Sequence, residues 1–157
     1  VSRSHDAPLI LRLSFVYGVD RSGSDERLAG FPAWVRSRLG ADESVPLFTD
    51  QRVTPSRAGQ VAETALDLLE GGATGTYHVA CRTCASPYEF GLTISRQMGI
   101  SDSLLERSVT ADVDRPAERP RNTCLDVERV ESRLGREQPT LEDDVEALAA
   151  WLTDTPE

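Results

Sequence analysis

The chain has 157 residues, which is the length of one domain with one hydrophobic core. Its 26 Asp and Glu residues outnumber 17 basic residues, and the net charge of -9 argues against duplex nucleic acid or an anionic membrane as the main partner. All 17 basic residues are arginine, so Schiff-base, P-loop and general-base lysines are excluded within this chain.

The first predicted element is a strand over residues 8–18, with the sequence Pro-Leu-Ile-Leu-Arg-Leu-Ser-Phe-Val-Tyr-Gly. Its first part is almost continuously apolar, which is typical of a strand buried on both faces of a parallel sheet. Only residues 1–7 precede it, and they are mostly polar. The pattern therefore predicts the middle of a sheet whose earlier strands lie outside this chain. Arg12, inside this apolar strand, is expected to form a buried structural pair.

A polar loop over residues 19–26 and a helix over residues 32–39 are predicted next. The helix is indicated by residues at helical spacing, by a proline in the first turn and by Gly40 as a stop. A short strand over residues 45–49 follows. The residues at helical spacing are Phe31, Trp34, Val35, Arg38 and Leu39.

A second helix is predicted after the polar loop over residues 50–56. Pro55 forbids a central strand within this loop, and Ser56 is the predicted N-cap of the helix. Two glycines at 71 and 72 end the helix. Its predicted apolar face consists of Val61, Ala62, Ala65, Leu66 and Leu69.

The next strand is predicted over residues 75–80, followed by a helix that starts at a capping box. Ser86-Pro87-Tyr88-Glu89 combines that box with a proline at the first helical position, and the helix runs to Met98. A strand over residues 104–110 and a proline-containing loop over residues 112–122 come after it.

Two helices are predicted at the end of the chain. Asp126 caps the first of them, which ends before Gly135, and Thr140 caps the second. The inward residues are Val127, Val130 and Leu134 in the first helix, and Val145, Leu148, Ala149 and Leu152 in the second. Strands that alternate with helices predict an α/β fold.

Cysteine and histidine spacing permits one metal site. His78, Cys81, Cys84 and Cys124 have spacings compatible with a Cys3His zinc site. The preferred interpretation is a turn of small residues after a strand, because alternation sends His78 to the face opposite Val79. We therefore expect Cys81 and Cys84 to be free thiols without metal.

Two loops are the best candidates for a polar site. They are the Asp50-Gln51 loop and the Arg119-Pro120-Arg121-Asn122 loop, since ligands of α/β proteins often bind where such loops join elements. Each loop alone is also compatible with a plain solvated surface. The chain contains no glycine-rich dinucleotide loop and no P-loop, and with only His5 and His78 as bases a serine hydrolase is disfavoured.

The same sequence also predicts the cellular location of the protein and the salt content of its surroundings. No apolar run is long enough for a membrane span and no signal peptide is recognisable, so we expect a cytoplasmic protein. The acidic, lysine-free composition predicts a surface adapted to a salt-rich cytoplasm. A GC-rich genome that replaces lysine with arginine would give the same absence of lysine.

Four motifs in chain order resemble one family. Residues 11–18 are similar to the strand end Arg-(Thr/Leu)-Ser-(Trp/Phe)-Val-Tyr-Gly of dTDP-4-dehydrorhamnose reductases, within the extended short-chain dehydrogenase/reductases of the NAD-dependent epimerase/dehydratase superfamily. Residues 50–56 resemble the family's Asp-Gln-x-Gly-x-Pro-Thr loop, although Val53 replaces its glycine. Residues 75–80 resemble the Gly-x-Tyr-His strand, and residues 119–126 the Arg-Pro-x-Asn-Ser-x-Leu segment, with Cys124 at a variable position that suggests an inert thiol.

The resemblance implies the C-terminal part of a Rossmann-type fold. Residues 1–18 would complete its sheet, and residues 19–157 would form the substrate-binding region. The missing N-terminal Rossmann half would carry the NADPH loop and the catalytic Tyr-x-x-x-Lys. This chain alone would then bind no cofactor and be inactive, while the complete enzyme would reduce a dTDP-4-keto sugar with NADPH.

The resemblance also implies residue roles. Substrate-binding roles would belong to Phe15, Asp50, Gln51, Arg119 and Asn122, with Arg119 near the diphosphate. Ser14 and Val16 would contact the cofactor, and no catalytic or metal-binding residue is expected.

Two alternatives stay open. Another nucleotide-sugar epimerase or dehydratase would share the fold but should lack the Asp-Gln loop. A non-catalytic binding or regulatory subunit, such as the related β-subunit of methionine adenosyltransferase, is a different class. The presence of Tyr-x-x-x-Lys upstream would separate catalytic from non-catalytic proteins. A homodimer is compatible with each of these.

Overall fold

The computed structural model describes residues 7–22 and 27–154, and the candidate base His5 lies outside these ranges. The strands in these ranges are β1 (Leu9–Arg12), β2 (Val16–Asp20), β3 (Arg27–Ala29), β4 (Val45–Phe48), β5 (Ser56–Arg57), β6 (Gly75–His78) and β7 (Leu105–Ser108). The helices are α1 (Phe31–Gly40), α2 (Ala58–Glu70), α3 (Pro87–Gln97), α4 (Glu128–Leu134) and α5 (Leu141–Asp154), with a 3-10 turn over Thr110–Asp112. The predicted α/β class is confirmed.

The strands form three small sheets within the described ranges. Strand β1 pairs in parallel with β6, and β4 pairs in parallel with β7. Strand β2 lies between β3, which is antiparallel to it, and β5, which is parallel. Parallel pairs need crossover connections, and α2 and α3 lie in those connections.

The single strand predicted over residues 8–18 is wrong. The chain forms two strands in different sheets, with a break at residues 13–15, and β2 continues to Asp20 where a loop was predicted. Phe15 has φ of 50°, a left-handed conformation that L-residues seldom adopt and that a continuous strand does not allow. An apolar pattern cannot reveal this break because both pieces are apolar.

Strand β1 is only partly buried, although burial on both faces was predicted. In the described chain β6 is its one sheet neighbour, so the opposite edge of β1 has no strand beside it. Arg12 is exposed rather than part of a buried pair. The apolar surface continues beyond the strand, since Leu13 is 41% exposed and Val16 is 53% exposed.

The main core surrounds α3. Phe90 and Ile94 of this helix are fully buried, and they belong to one apolar cluster with residues of α1, α5, β4 and β7. A smaller cluster lies between α2, α4 and β6 and includes Leu68, Tyr77 and Val130. The inward faces predicted for the last two helices are confirmed in the main, because Val130, Val145 and Leu148 are buried.

Helix α2 differs from its prediction in both its cap and its buried face. Its N-cap is Arg57, because the Ser56 hydroxyl donates to the Ser14 carbonyl at 2.6 Å instead. The residues that α2 buries are Gln60, Thr64 and Leu68, whereas Leu66 and Leu69 are 58% and 60% exposed. Gln60 and Thr64 both contact the buried Gln138 side chain, so hydrogen bonds turn polar residues inward.

The predicted starts of α3 and α5 are confirmed. The Ser86 hydroxyl accepts from the Glu89 amide at 3.2 Å, and the Glu89 carboxylate accepts from the Ser86 amide at 2.6 Å. Thr140 and Asp143 make the same reciprocal arrangement at the start of α5. Asp126 accepts from the Glu128 amide at 2.8 Å, although the N-cap of α4 is Val127.

Candidate functional site

The polar segment from Asp50 to Val53 lies between two other segments. On one side the Arg52 amide donates to the Arg121 carbonyl at 2.7 Å, and the Thr123 amide donates to the Arg52 carbonyl at 2.9 Å. On the other side Val53 and Ala85 exchange backbone hydrogen bonds of 2.8 and 2.9 Å. The two loops that the sequence singled out are therefore directly hydrogen-bonded to each other.

Asp50 fixes the start of the arginine-containing loop. Its carboxylate accepts from the Thr110 amide at 2.9 Å and from the Thr110 hydroxyl at 2.7 Å. These hydrogen bonds lower the pKa of Asp50, the hydroxyl bond most of all, and the nearby charge of Arg121 contributes in the same direction. Asp50 is therefore ionised at neutral pH and positions Thr110, so its carboxylate is partly occupied within the protein.

We define the arginine loop as residues 113–121. Together with Thr110–Asp112 it lines an open cavity of about 810 Å³, and the cations in this lining are Arg115, Arg119 and Arg121. Asp112, Asp114 and Glu118 also line it, so the three guanidinium groups are partly offset by carboxylates. The Arg115 guanidinium lies 4.9 Å from the centre of the Phe48 ring, which attaches the loop to β4. Three arginines around one cavity can bind an anion with several phosphate oxygens.

Asn122 and Gln51 lie beside this cavity-forming loop. The Asn122 side-chain oxygen accepts from the Cys124 amide at 2.9 Å, so it shapes the chain locally. Its backbone forms a bridge with Arg52. Gln51 is partly buried next to Asp50. The structure thus brings Asp50, Gln51, Arg119 and Asn122 into one region.

The other three predicted site residues lie at the opposite end of the same segment. Ser14 is held by Ser56, whose hydroxyl donates to the Ser14 carbonyl at 2.6 Å and accepts from the Ser14 amide at 3.3 Å. Val16 pairs with Ser56 in the β2–β5 ladder. Phe15, between them, is 39% exposed. Ser56 therefore joins this group to the region of Asp50 through the chain of residues 50–56.

Phe15 belongs to an aromatic cluster with one face open to solvent. Its ring is 5.3 Å from that of Phe31 and 6.2 Å from that of the buried Phe90, measured between centroids. Trp34 is 5.9 Å from Phe31 on the same basis and is 43% exposed. Backbone strain at an exposed aromatic residue often accompanies function, which favours Phe15 as a ligand contact.

The prediction of free thiols is correct for Cys81 and wrong for Cys84, and the inert thiol suggested for Cys124 is also wrong. Cys84 and Cys124 form a disulfide with Cα atoms 5.6 Å apart, within the usual range. The prediction failed because the two residues are 40 positions apart and meet only when the segments at Ala85 and Asn122 flank residues 52–53. Cys81 is free and fully buried, and burial raises its pKa to about 12. The joined sulfurs cannot serve as separate ligands of the alternative zinc site.

Arg52 is a site residue that sequence reasoning missed. Its guanidinium donates to the Glu89 carboxylate at 2.5 Å, and that carboxylate also caps α3. Its backbone holds the end of the arginine loop through Arg121 and Thr123. Its position inside the motif of residues 50–56 was the available signal. Thr110 and Arg115 gave no such signal, because their roles depend on distant partners.

A buried ion pair begins at Arg57, the residue that follows Ser56. Asp144 is 1% exposed, and the Arg57 guanidinium donates to its carboxylate at 2.8 Å. Burial raises the pKa of Asp144, and the hydrogen bond and charge of Arg57 oppose that rise. The fully buried hydroxyl of Tyr17 faces the same charges, and its pKa is raised, first by burial and then by Asp144. The pair fixes the start of α2 against α5.

The fold and the site together define a class of protein. They describe an α/β domain that carries an arginine-lined cavity and an exposed aromatic cluster at two ends of one polar segment. Residues 1–153 match the family model of the RmlD substrate binding domain. The chain belongs to the RmlD substrate-binding family.

Similar proteins agree with this membership. The chain is 57% identical over 146 residues to the probable low-salt glycan biosynthesis reductase Agl14 of Haloferax volcanii, covering 93% of this chain and 48% of that protein. A dTDP-4-dehydrorhamnose reductase of Bacillus anthracis, solved with NADP, is 20% identical with a TM-score of 0.79, and 94% of this chain covers 48% of it. The orthologue from Clostridium acetobutylicum is 21% identical with a TM-score of 0.77, for coverages of 92% and 49%.

The chain matches its relatives over only part of their length. The chain spans about half the length of the relatives it matches. The solved relatives share the fold of this chain over about half of their own length. Among the described residues, no helix is long and apolar enough to cross a membrane.

Proposed function

We propose that this chain is the substrate-binding half of an NADPH-dependent reductase of the dTDP-4-dehydrorhamnose type, acting in nucleotide-sugar biosynthesis. The observation that carries the proposal is the match of residues 1–153 to the RmlD substrate binding domain. A reductase of glycan biosynthesis that is 57% identical supports the same class of reaction. Rhamnose biosynthesis, a cytoplasmic location and an acidic surface adapted to salt stay predictions.

The arginine loop is the proposed site for the diphosphate of the substrate. A protein of net charge -9 repels an anion at long range, so binding requires guanidinium groups placed for direct contact. Arg119 is exposed and adjacent to Pro120, in a cavity that also holds Arg115 and Arg121. Proline restricts the backbone there, so less entropy is lost when Arg119 binds its ligand.

The aromatic cluster is the proposed contact for the sugar. Phe15 exposes part of its ring while Phe31 and Phe90 support it from behind. Asp50 and Gln51 would form the wall between the sugar and the diphosphate. Asp50 would act through Thr110, whose two hydrogen bonds fix the first turn of the cavity lining.

The residues of this chain fit one end of a nicotinamide cofactor rather than all of it. Ser14 has both its backbone groups engaged by Ser56, whereas Val16 leaves half of its side chain exposed for an apolar contact. A glycine-rich loop for the cofactor phosphates is absent from the sequence. We therefore propose that NADPH, when bound, supplies hydride to the sugar and is held mainly by the preceding half of the complete protein.

The preceding half is also the proposed partner for the open side of β1. The described chain leaves one edge of β1 without a strand, and Leu13 and Val16 are exposed beside it. Relatives are twice as long, which supplies the chain length for further strands. Under this proposal residues 1–18 complete a Rossmann-type sheet and residues 19–157 form the substrate-binding region, while a homodimer stays open.

Activity of the complete protein tests the proposal. With NADPH and a dTDP-4-keto-6-deoxy sugar, we expect loss of the absorbance of the reduced nicotinamide. This chain alone should give none, since it contains no lysine. Turnover by the isolated chain would contradict the proposal. NADPH binding without turnover of any nucleotide sugar would favour the regulatory-subunit alternative, and conversion without net loss of NADPH would favour an epimerase or dehydratase.

Paired arginine variants test the diphosphate site. Arg119→Lys should weaken dTDP binding by about 1 to 3 kcal/mol, because lysine loses the bidentate contact that a guanidinium makes. Arg12→Lys is the matched control, since Arg12 is exposed on β1 and lies outside the cavity lining. Unchanged affinity in Arg119→Lys together with weaker binding in Arg12→Lys would move the phosphate site away from the arginine loop.

A further inference from the structure

The Cys84–Cys124 disulfide closes the far end of the arginine loop. Residues 113–121 contain no helix or strand, and most of them are exposed. The start of the loop is held by Asp50 through Thr110, and its end is held by Arg52 through Arg121 and Thr123. Both anchors thus belong to the same short segment, which must itself stay in place if the loop is to keep its shape.

The disulfide holds that segment from both sides. Residues 52–53 form the middle of a three-segment ladder, with Ala85 on one side and Asn122 on the other. Cys84 and Cys124 lie next to the two outer segments, so their bond joins these segments around the middle one. The other supports of the ladder are the backbone hydrogen bonds of Arg52 and Val53, a hydrogen bond of 3.1 Å from the Leu125 amide to the Thr54 hydroxyl, and the exposed Arg52–Glu89 pair, which contributes little. The disulfide is the one covalent link between the outer segments in the described chain.

The two disulfide-bonded residues lie at or near the surface, where an external thiol can approach them. Cys84 is exposed and Cys124 is partly exposed, whereas Cys81 is fully buried with a raised pKa and is a poor nucleophile. Opening the bond would therefore release two reactive groups at the surface, and the third thiol would not compete for either of them. We propose that Cys84–Cys124 is a redox latch, in which reduction by a dithiol loosens the arginine loop and weakens anion binding.

The reduction balances with a dithiol as the electron donor. A thiolate of the donor attacks Cys84 Sγ, the bond to Cys124 Sγ breaks, and Cys124 leaves as a thiolate that takes up a proton. The second thiol of the donor then attacks its own sulfur in the mixed disulfide, so Cys84 is released and protonated. Two electrons pass to the protein sulfurs, and the donor becomes a disulfide.

The first test is independent of activity and of the proposed function. In the complete protein purified without reductant, peptide mass spectrometry should find Cys84 linked to Cys124 and Cys81 unlinked. Amide hydrogen exchange at Arg52, Val53, Ala85 and Thr123, whose amides donate the hydrogen bonds of the ladder, should then accelerate several-fold on treatment with dithiothreitol. Unlinked Cys84 and Cys124, or exchange that is unchanged by reduction, would overturn the latch.

A variant separates the latch from other effects of the reductant. Cys84→Ser/Cys124→Ser should show fast exchange at the amides of Arg52, Val53, Ala85 and Thr123 from the start and should not respond to dithiothreitol. Slow exchange in this variant would overturn the proposal. A variant that does not fold leaves the comparison of the oxidised and reduced natural protein, which decides the question alone.

The expected effect of reduction on anion binding rests on the proposed function, and it is measured with dTDP as the ligand. Reduction should raise the Kd for dTDP by about tenfold, in parallel with the faster exchange. Equal affinity in both redox states would overturn the binding part of the latch. If dTDP binds neither form, the proposed function fails, and the exchange measurement still decides whether the loop is latched.

Discussion

Replacement of Arg57 by Met tests the buried ion pair that joins α2 to α5. The carboxylate of Asp144 has no exposed surface, and the Arg57 side chain is 22% exposed. One oxygen of Asp144 accepts from Arg57, and the other lacks a hydrogen-bond partner among the described residues. Arg57→Met would therefore leave a buried carboxylate without its cation while keeping much of the apolar stem.

The expected cost is large for one substitution. Removal of one partner from a buried pair typically lowers the free energy of unfolding by about 3 to 5 kcal/mol. For a domain of this size each 1 kcal/mol shifts Tm by about 2 to 4 °C, so Tm should fall by roughly 10 °C. Urea unfolding followed by circular dichroism would give the change in free energy directly.

The loss should depend on pH in a defined direction. Burial raises the pKa of Asp144, so this group stabilises the fold below its ordinary pKa and loses that contribution as pH rises through the raised value. Arg57 opposes the rise, so removing it moves the pKa further up. The difference between natural protein and Arg57→Met should consequently be small near pH 4 and grow toward pH 7.

Asp144→Asn provides the control. In that background Arg57→Met removes no charge pair, so its additional effect should be much smaller and independent of pH. A double-mutant cycle at pH 7 would measure the coupling. Coupling below about 0.5 kcal/mol, or a cost that does not change with pH, would refute the argument that the pair is buried and electrostatic.

Three further variants test other parts of the structure. Phe15→Asn should change the free energy of unfolding by less than about 1 kcal/mol, because relief of its positive φ offsets lost packing, yet it should weaken substrate binding in a titration. Gly30→Ala should cost about 1 to 3 kcal/mol in urea unfolding, since φ is +79° and the new Cβ would lie 3.1 Å from that of Tyr17. Cys84→Ser/Cys124→Ser should lower stability by up to about 4 kcal/mol, the entropy of a 40-residue closure, and no loss of Tm in calorimetry would contradict it.

Local signals in the sequence were sufficient where a few neighbouring residues decide the structure. The capping box at Ser86 and Glu89 fixed the start of α3, and Gly135 ends α4 in the left-handed conformation expected of a C-terminal glycine. These features depend on hydrogen bonds within one turn. They could be read from spacing alone.

Features that depend on contacts between distant parts of the chain could not be predicted from local sequence signals. Helix α2 buries Gln60 and Thr64 because Gln138, far along the chain, supplies their partner. Asp144, in the first turn of α5, is buried because Arg57 supplies its partner. In both cases a polar residue is buried by a partner that no periodic pattern can indicate.

In the candidate site, too, local motifs were informative and long-range contacts could not be predicted. The motifs placed Asp50 and Arg119 in two loops, and the structure shows that those loops are hydrogen-bonded through Arg52. The anchor at Thr110 and the disulfide at Cys84 depend on tertiary contacts and were missed or predicted wrongly. Roles taken from the family resemblance stay predictions until a ligand is bound.

Localised protection by dTDP tests the central claim most directly. Amide hydrogen exchange would be measured in the complete, oxidised protein with and without saturating dTDP. The account predicts slower exchange over residues 110–122 and little change in the outward turns of α2, whose Leu66 and Leu69 are exposed and lie outside the cavity lining. Saturable binding of dTDP that leaves exchange over residues 110–122 unchanged would contradict the claim that this chain binds the nucleotide sugar through its arginine loop.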